Sequence, residues 1–156
     1  MLERGCANEG DTLLSSTPRK AVLTGRFSGD GRWTDITGES RRYRIDFLEF
    51  GEVEGLVTLS FVHDLYEEND RVDAEFCFEF ENESQFALLS SKGTGHAKIG
   101  TGYAFDNYCQ YLLVIGETLV ENRMVFVGDT LRIFGSSSKN KAGRFIRWEE
   151  TLARVK

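Results

Sequence analysis

Proline occurs once in this 156-residue chain, histidine twice and cysteine three times. Three scattered cysteines, Cys6, Cys77 and Cys109, make a poor disulfide framework. Cys77 and Cys109 lie inside apolar runs and read as small buried hydrophobes. Two histidines with no cysteine at ligand spacing give no zinc-type motif, so neither a metal nor a cofactor is expected. Long apolar runs are missing too. None approaches the roughly 20 residues of a membrane-spanning helix, and the most apolar stretch, Tyr111–Ile115, has the length of a buried strand. The start, Met1-Leu2-Glu3-Arg4-Gly5-Cys6, has no apolar core of the kind a signal peptide carries, so a cytoplasmic protein is expected. Positive charge is also short. With 19 Lys and Arg against 25 Asp and Glu, the net charge is −6, which disfavours nucleic acid as a partner.

What is present describes one folded unit. The length suits a single domain, and 40% hydrophobic with 28% charged residues excludes wholesale disorder. Residues 1–19 mix Gly, Asn, Asp, Ser, Thr and the only proline, and read as a flexible leader before a domain spanning 20–156. Within that domain the period is two. In Arg71–Glu81, Val72, Ala74, Phe76, Phe78 and Phe80 share one parity, against Asp73, Glu75, Cys77, Glu79 and Glu81. A helix would scatter those apolar residues, whereas a strand collects them on one side. Arg42–Phe50 places Tyr43, Ile45 and Phe47 together in the same way. Further strands are expected over Ala21–Thr34, Gly55–His63, Gln85–Ser90, Gly95–Phe105, Tyr108–Ile115, Thr118–Val127, Thr130–Ser137 and Phe145–Val155. Asp106-Asn107, Gly116-Glu117 and Gly128-Asp129 fit the hairpins between them. His63–Arg71 has room for one helical turn, and 148–155 fits either a helix or a strand, strand being preferred because it closes a sheet edge. About ten short strands at regular spacing mean an all-β barrel or sandwich. Gly25, Gly29 and Gly31 on one parity, and Gly100 and Gly102 on another strand, favour sharply curved strands and so a small closed barrel.

Leu23-Thr-Gly-Arg-Phe-Ser-Gly-Asp-Gly-Arg-Trp33 resembles the opening strand of the calycin group, the lipocalins and fatty-acid-binding-like barrels. Lipocalins open with Gly-x-Trp, here Gly31-Arg32-Trp33, and pack a late arginine over that tryptophan, for which Arg147 or Arg154 would serve. The glycine pattern is also similar to the start of nitrobindin-type ten-stranded barrels, but no histidine lies near the C-terminus where those hold haem, the last being His96. The resemblance implies a single antiparallel up-and-down β-barrel of about 8–10 strands, lipocalin-like, with an internal cavity.

The residues offered for chemistry are few. His63 shares parity with Val57, Leu59 and Phe61, and at a barrel mouth it would be a hydrogen-bond anchor or general base. The plainer alternative is a loop-end histidine beside Asp64. His96, in Lys92-Gly-Thr-Gly-His96, lacks the strand-to-helix context of a phosphate loop and reads as a surface residue. Tyr103, Tyr108 and Tyr111 with Cys109 form an aromatic, polar set on consecutive strands. Tyrosine hydroxyls such as those of Tyr103 and Tyr111 would fix a carboxylate, carbonyl or aromatic guest in an apolar barrel. Arg123 shares parity with Leu119, Val125 and Val127, which makes it the inward arginine for an acidic ligand head. Phe47, Phe61, Phe76, Phe78 and Phe80 would line the interior or fill it.

Three functions follow. The first is binding of a small hydrophobic or aromatic molecule, oriented by Tyr103, Tyr111, Arg123 or His63 against Phe76 and Phe78. The second is a cyclase, isomerase or lyase on the same barrel, with His63 as the acid–base group. The third is a filled barrel serving as an interaction module, with a homodimer as one form it could take.

Overall fold

The computed structural model describes residues 23–90, 97–139 and 143–156. The 1–19 leader, Cys6 and His96 lie outside the described residues. Ten strands follow in order: β1 Gly25–Asp35, β2 Ser40–Val53, β3 Leu56–Leu65, β4 Asp70–Phe80, β5 Gln85–Ser90, β6 Lys98–Phe105, β7 Tyr108–Ile115, β8 Thr118–Val127, β9 Thr130–Ser137 and β10 Ile146–Arg154. Each pairs antiparallel with its neighbour in sequence, and β1 pairs with β10, so the sheet closes on itself with no free edge. The hairpins fall at the expected dipeptides, and 148–155 is strand up to Arg154. Among the described residues no helix is long and apolar enough to cross a membrane.

Alternation decides which residues enter the lumen, and two features move residues from their expected side. On β2 the register shifts between Ile45 and Phe47. One extra residue there exchanges the faces, so Tyr43 and Ile45 are buried, and so are Leu48 and Phe50, while Phe47 lies outside under the Arg26 guanidinium, 4.4 Å from its ring centre. On β8 the inward set is Val120, Asn122, Met124 and Phe126, not the parity of Arg123. Arg123 shares its parity with Glu121, so turning that face inward would bury two charges. The opposite face buries one amide, and that amide finds partners. The arginine over Trp33 is Arg144, at 5.7 Å, rather than Arg147 or Arg154; Arg154 covers Phe27 at 4.7 Å.

The two ends of the barrel differ. One end carries the β2–β3, β4–β5, β6–β7 and β8–β9 turns and is packed with rings. Phe27 and Phe50 meet Phe126 at 6.0 and 5.9 Å, Phe78 stacks on Phe86 at 4.4 Å, and Phe80 meets Phe86 at 5.2 Å. Toward the other end burial fades. Along β4 the inward side chains pass from Phe78, 0% exposed, through half-buried Phe76 and Ala74 to Val72, 40% exposed. Along β3 they pass from buried Leu59 to half-buried Phe61, His63 and Leu65. This graded end is the mouth.

Candidate lumen site

Three polar side chains from β2, β3 and β10 meet just inside the mouth. The Tyr43 hydroxyl donates to Glu150 Oε2 at 2.6 Å, and His63 Nε2 lies 3.6 Å from the same oxygen. Register brings them together: Gly31 on β1 pairs with Tyr43 on one side and Glu150 on the other. A Cβ on Gly31 would stand 2.5 Å from the Tyr43 ring and 2.9 Å from its hydroxyl oxygen, so the absent side chain is what lets the phenol reach across β1. The His63 ring lies 5.1 Å from Tyr43 and 4.7 Å from Phe61.

Burial sets the charge states. Glu150 is 4% exposed, and loss of water pushes its carboxyl up to about 7, against the opposing pull of the Tyr43 hydrogen bond. The His63 side chain is 18% exposed, and the same cause pushes its imidazole down to about 4. At neutral pH His63 is therefore an uncharged neighbour, and its contact with Glu150 is not an ion pair. Burial and the nearby carboxylate raise the Tyr43 phenol, which keeps it a donor. The site thus holds a carboxyl poised between its two forms, a neutral imidazole and a phenol.

A second relay crosses the lumen nearby. Trp148 Nε1 donates to Asn122 Oδ1 at 3.0 Å, and Asn122 Nδ2 donates to the Tyr111 hydroxyl at 3.0 Å. Tyr111 keeps its own hydroxyl hydrogen for another acceptor. Gly135, between Trp148 and Asn122 in the ladder, again leaves room, since a Cβ there would overlap the indole and the Asn122 oxygen. The Tyr111 ring packs on Phe78 at 5.9 Å. Cys109, fully buried two residues from Tyr111, has its thiol pushed up to about 12 by burial and is no nucleophile at neutral pH.

Of the side chains expected at a site, His63, Tyr111, Phe76 and Phe78 face the lumen. Tyr103 and Arg123 do not. Tyr103 is 43% exposed on the outer wall, where its hydroxyl donates to Gln110 at 2.9 Å. The Arg123 side chain is 54% exposed and pairs with Glu121 at 3.7 Å. The expected tyrosine set is split by strand alternation, with Tyr111 and Cys109 inside and Tyr103 and Tyr108 outside. Glu150, Tyr43, Asn122 and Trp148 were not among the expected site residues. Glu150 had a signal: it stands at the parity of Trp148 and Leu152, a carboxylate at a core position. Two open clefts, of about 490 and 620 Å³, lie on the outer wall and rim rather than in the lumen. The first is bounded by Tyr103, Phe105 and Tyr108, the second by Ile36, Leu112, Leu119 and Phe145. Among the described residues no group of three or more His, Cys, Asp or Glu side chains comes together as metal ligands.

Ten antiparallel strands in a closed meander define an up-and-down barrel of calycin-like fold, and solved structures agree. The S-type phycobiliprotein lyase CPES from Guillardia theta superposes with a TM-score of 0.70 at 11% identity, over 93% of this chain and 97% of that one. Rv2717c from M. tuberculosis superposes with a TM-score of 0.65 at 12% identity, over 90% of this chain and 99% of that one. The sequence matches no protein-family model, and no curated protein is similar to it.

Proposed function

We propose that this barrel binds a small, largely apolar molecule through its graded end, with Glu150, Tyr43 and His63 orienting the guest's polar group. The observation that carries this reading is Glu150, a carboxylate held inside an apolar barrel at 4% exposure with one protein hydrogen bond, beside the His63 ring and on the same face of β10 as half-buried Trp148. A buried acid is costly to keep, and a site for a polar guest gives it a purpose that packing does not. Both similar barrels have the same closed architecture, and one of them is a phycobiliprotein lyase by name, which supports a barrel that handles a small molecule. The test is a melting-temperature screen of fatty acids, retinoids, aromatic acids and aromatic amines against the native protein and Ala74→Trp, which fills the mouth. A ligand that raises the melting temperature of the native protein only is the expected result. No ligand effect, or an equal effect in both proteins, would overturn the reading.

A lyase or isomerase reading on the same residues is favoured by one specific feature. A carboxyl with a pKa of about 7 stands 3.6 Å from a neutral imidazole, so Glu150 is the group that takes up and gives back a proton near neutral pH. Chromatography of a bound guest before and after incubation distinguishes it from simple binding, because only an enzyme changes the guest.

A further inference from the structure

Among the described residues, Glu150 has no cationic partner. Its contacts are the Tyr43 hydroxyl and the neutral His63 ring, both on Oε2, and Oε1 accepts no hydrogen bond. At the rim of the graded end, Arg41 pairs with Glu39 at 2.6 Å, and Arg144 with Glu39 at 2.8 Å and Asp35 at 3.7 Å. Arg123, the arginine expected to receive an acidic head, stands outside with Glu121.

These contacts constrain what a guest can bring. An ionised carboxylate only accepts hydrogen bonds, and here one oxygen is left to accept. A guest carboxylate would set two acids side by side, each raising the pKa of the other, with no cation among the described residues seen paired with Glu150 to offset them. A guest nitrogen that carries hydrogen supplies what the site lacks, a donor and, if protonated, the missing positive charge. Around that point the lumen offers ring faces from His63, Phe61, Phe76 and Trp148, which suit a flat apolar body and tolerate an adjacent cation.

Resting on the binding reading above, we infer that the guest is an apolar, planar molecule whose polar end is a hydrogen-bearing nitrogen, such as an amine, an amidine or an N–H heterocycle, and that Glu150 receives it. Carboxylic acids of the same shape are disfavoured.

Three probes with one body decide this: 2-naphthylmethylamine, 2-naphthylmethanol and 2-naphthoate, titrated calorimetrically into the native protein and into Glu150→Gln. At about pH 8, where Glu150 is ionised, the amine is expected to bind at least about tenfold tighter than the acid, with the alcohol between them. In Glu150→Gln the amine falls to the level of the alcohol. Acidification gives the same answer without a variant. At about pH 5.5 the amine remains a cation and the naphthoate an anion, while Glu150 takes up its proton, so the preference for the amine collapses. The titratable groups facing Glu150 do not confuse this step, since His63 stays neutral and the Tyr43 and Tyr111 phenols stay protonated across that range. Equal binding of all three probes, tighter binding of the acid, or an amine preference that survives both Glu150→Gln and acidification would overturn the inference and leave the binding reading standing. No binding by any probe would overturn both.

Discussion

Replacing Glu150 by Gln separates two titrations that oppose each other inside the barrel. Burial pushes the Glu150 carboxyl up from 4.5 to about 7 and the His63 imidazole down from 6.5 to about 4. A carboxyl whose pKa is raised on folding binds more protons in the folded state. Its contribution to stability therefore grows as the pH falls from about 7 toward 4.5. An imidazole whose pKa is lowered on folding binds fewer protons in the folded state, so its contribution shrinks as the pH falls from 6.5 toward 4. Between about pH 6.5 and 4.5 each group gives a slope of about 1.4 kcal/mol per pH unit, with opposite sign, and the two cancel in the native chain. The His63 shift has burial as its cause and not Glu150, so it persists when Glu150 is removed. Glu150→Gln is then expected to lose about 2–3 kcal/mol of stability between pH 6.5 and 4.5, where the native protein changes little. His63→Asn is expected to gain a similar amount over the same window. The lowered carboxylates Asp35, Asp46 and Glu67 act at and below their ordinary values and are common to all three proteins. Urea unfolding at half-unit pH steps reads these slopes. Parallel pH curves for the three proteins would refute the buried, opposed pair.

Other outcomes follow from the same contacts. Gly31→Ala puts a methyl against the Tyr43 ring, so it should displace the phenol from Glu150 and cost about 1–3 kcal/mol in urea unfolding. Trp148→Phe removes the donor to Asn122 Oδ1 and leaves a buried acceptor unpaired, for an expected loss of about 1–3 kcal/mol in the same assay. Arg123→Ala and Tyr103→Phe alter only the outer wall, and calorimetry with the naphthyl probes should find their affinities unchanged.

The barrel was legible because alternation is strong where charge and ring size differ most. Over Arg71–Glu81 five apolar residues oppose five others that include four acids, and no other register buries the first set without burying the second. The site was harder to read because it depends on what stands across the ladder. On β8 both parities carry aliphatic residues, and the deciding fact is that Glu121 travels with Arg123. On β2 a one-residue bulge, invisible in the hydrophobic pattern, sends Phe47 outward. Tyr43 and Glu150 lie 107 positions apart and become partners only through Gly31, whose own parity was visible but whose neighbours were not. His63 was legible as an inward histidine; the acid it faces was not, although the parity of Trp148, Glu150 and Leu152 held that information.

The most direct test of the account is to locate a bound guest. With 2-naphthylmethylamine added to isotopically labelled protein, the His63 ring and the Trp148 indole N–H resonances are expected to move and saturate together, while the Tyr103 ring and Arg123 signals stay fixed. Saturable shifts confined to Tyr103, Arg123 and their neighbours, with His63 and Trp148 unmoved, would place the guest on the outer wall and contradict a binding site in the lumen.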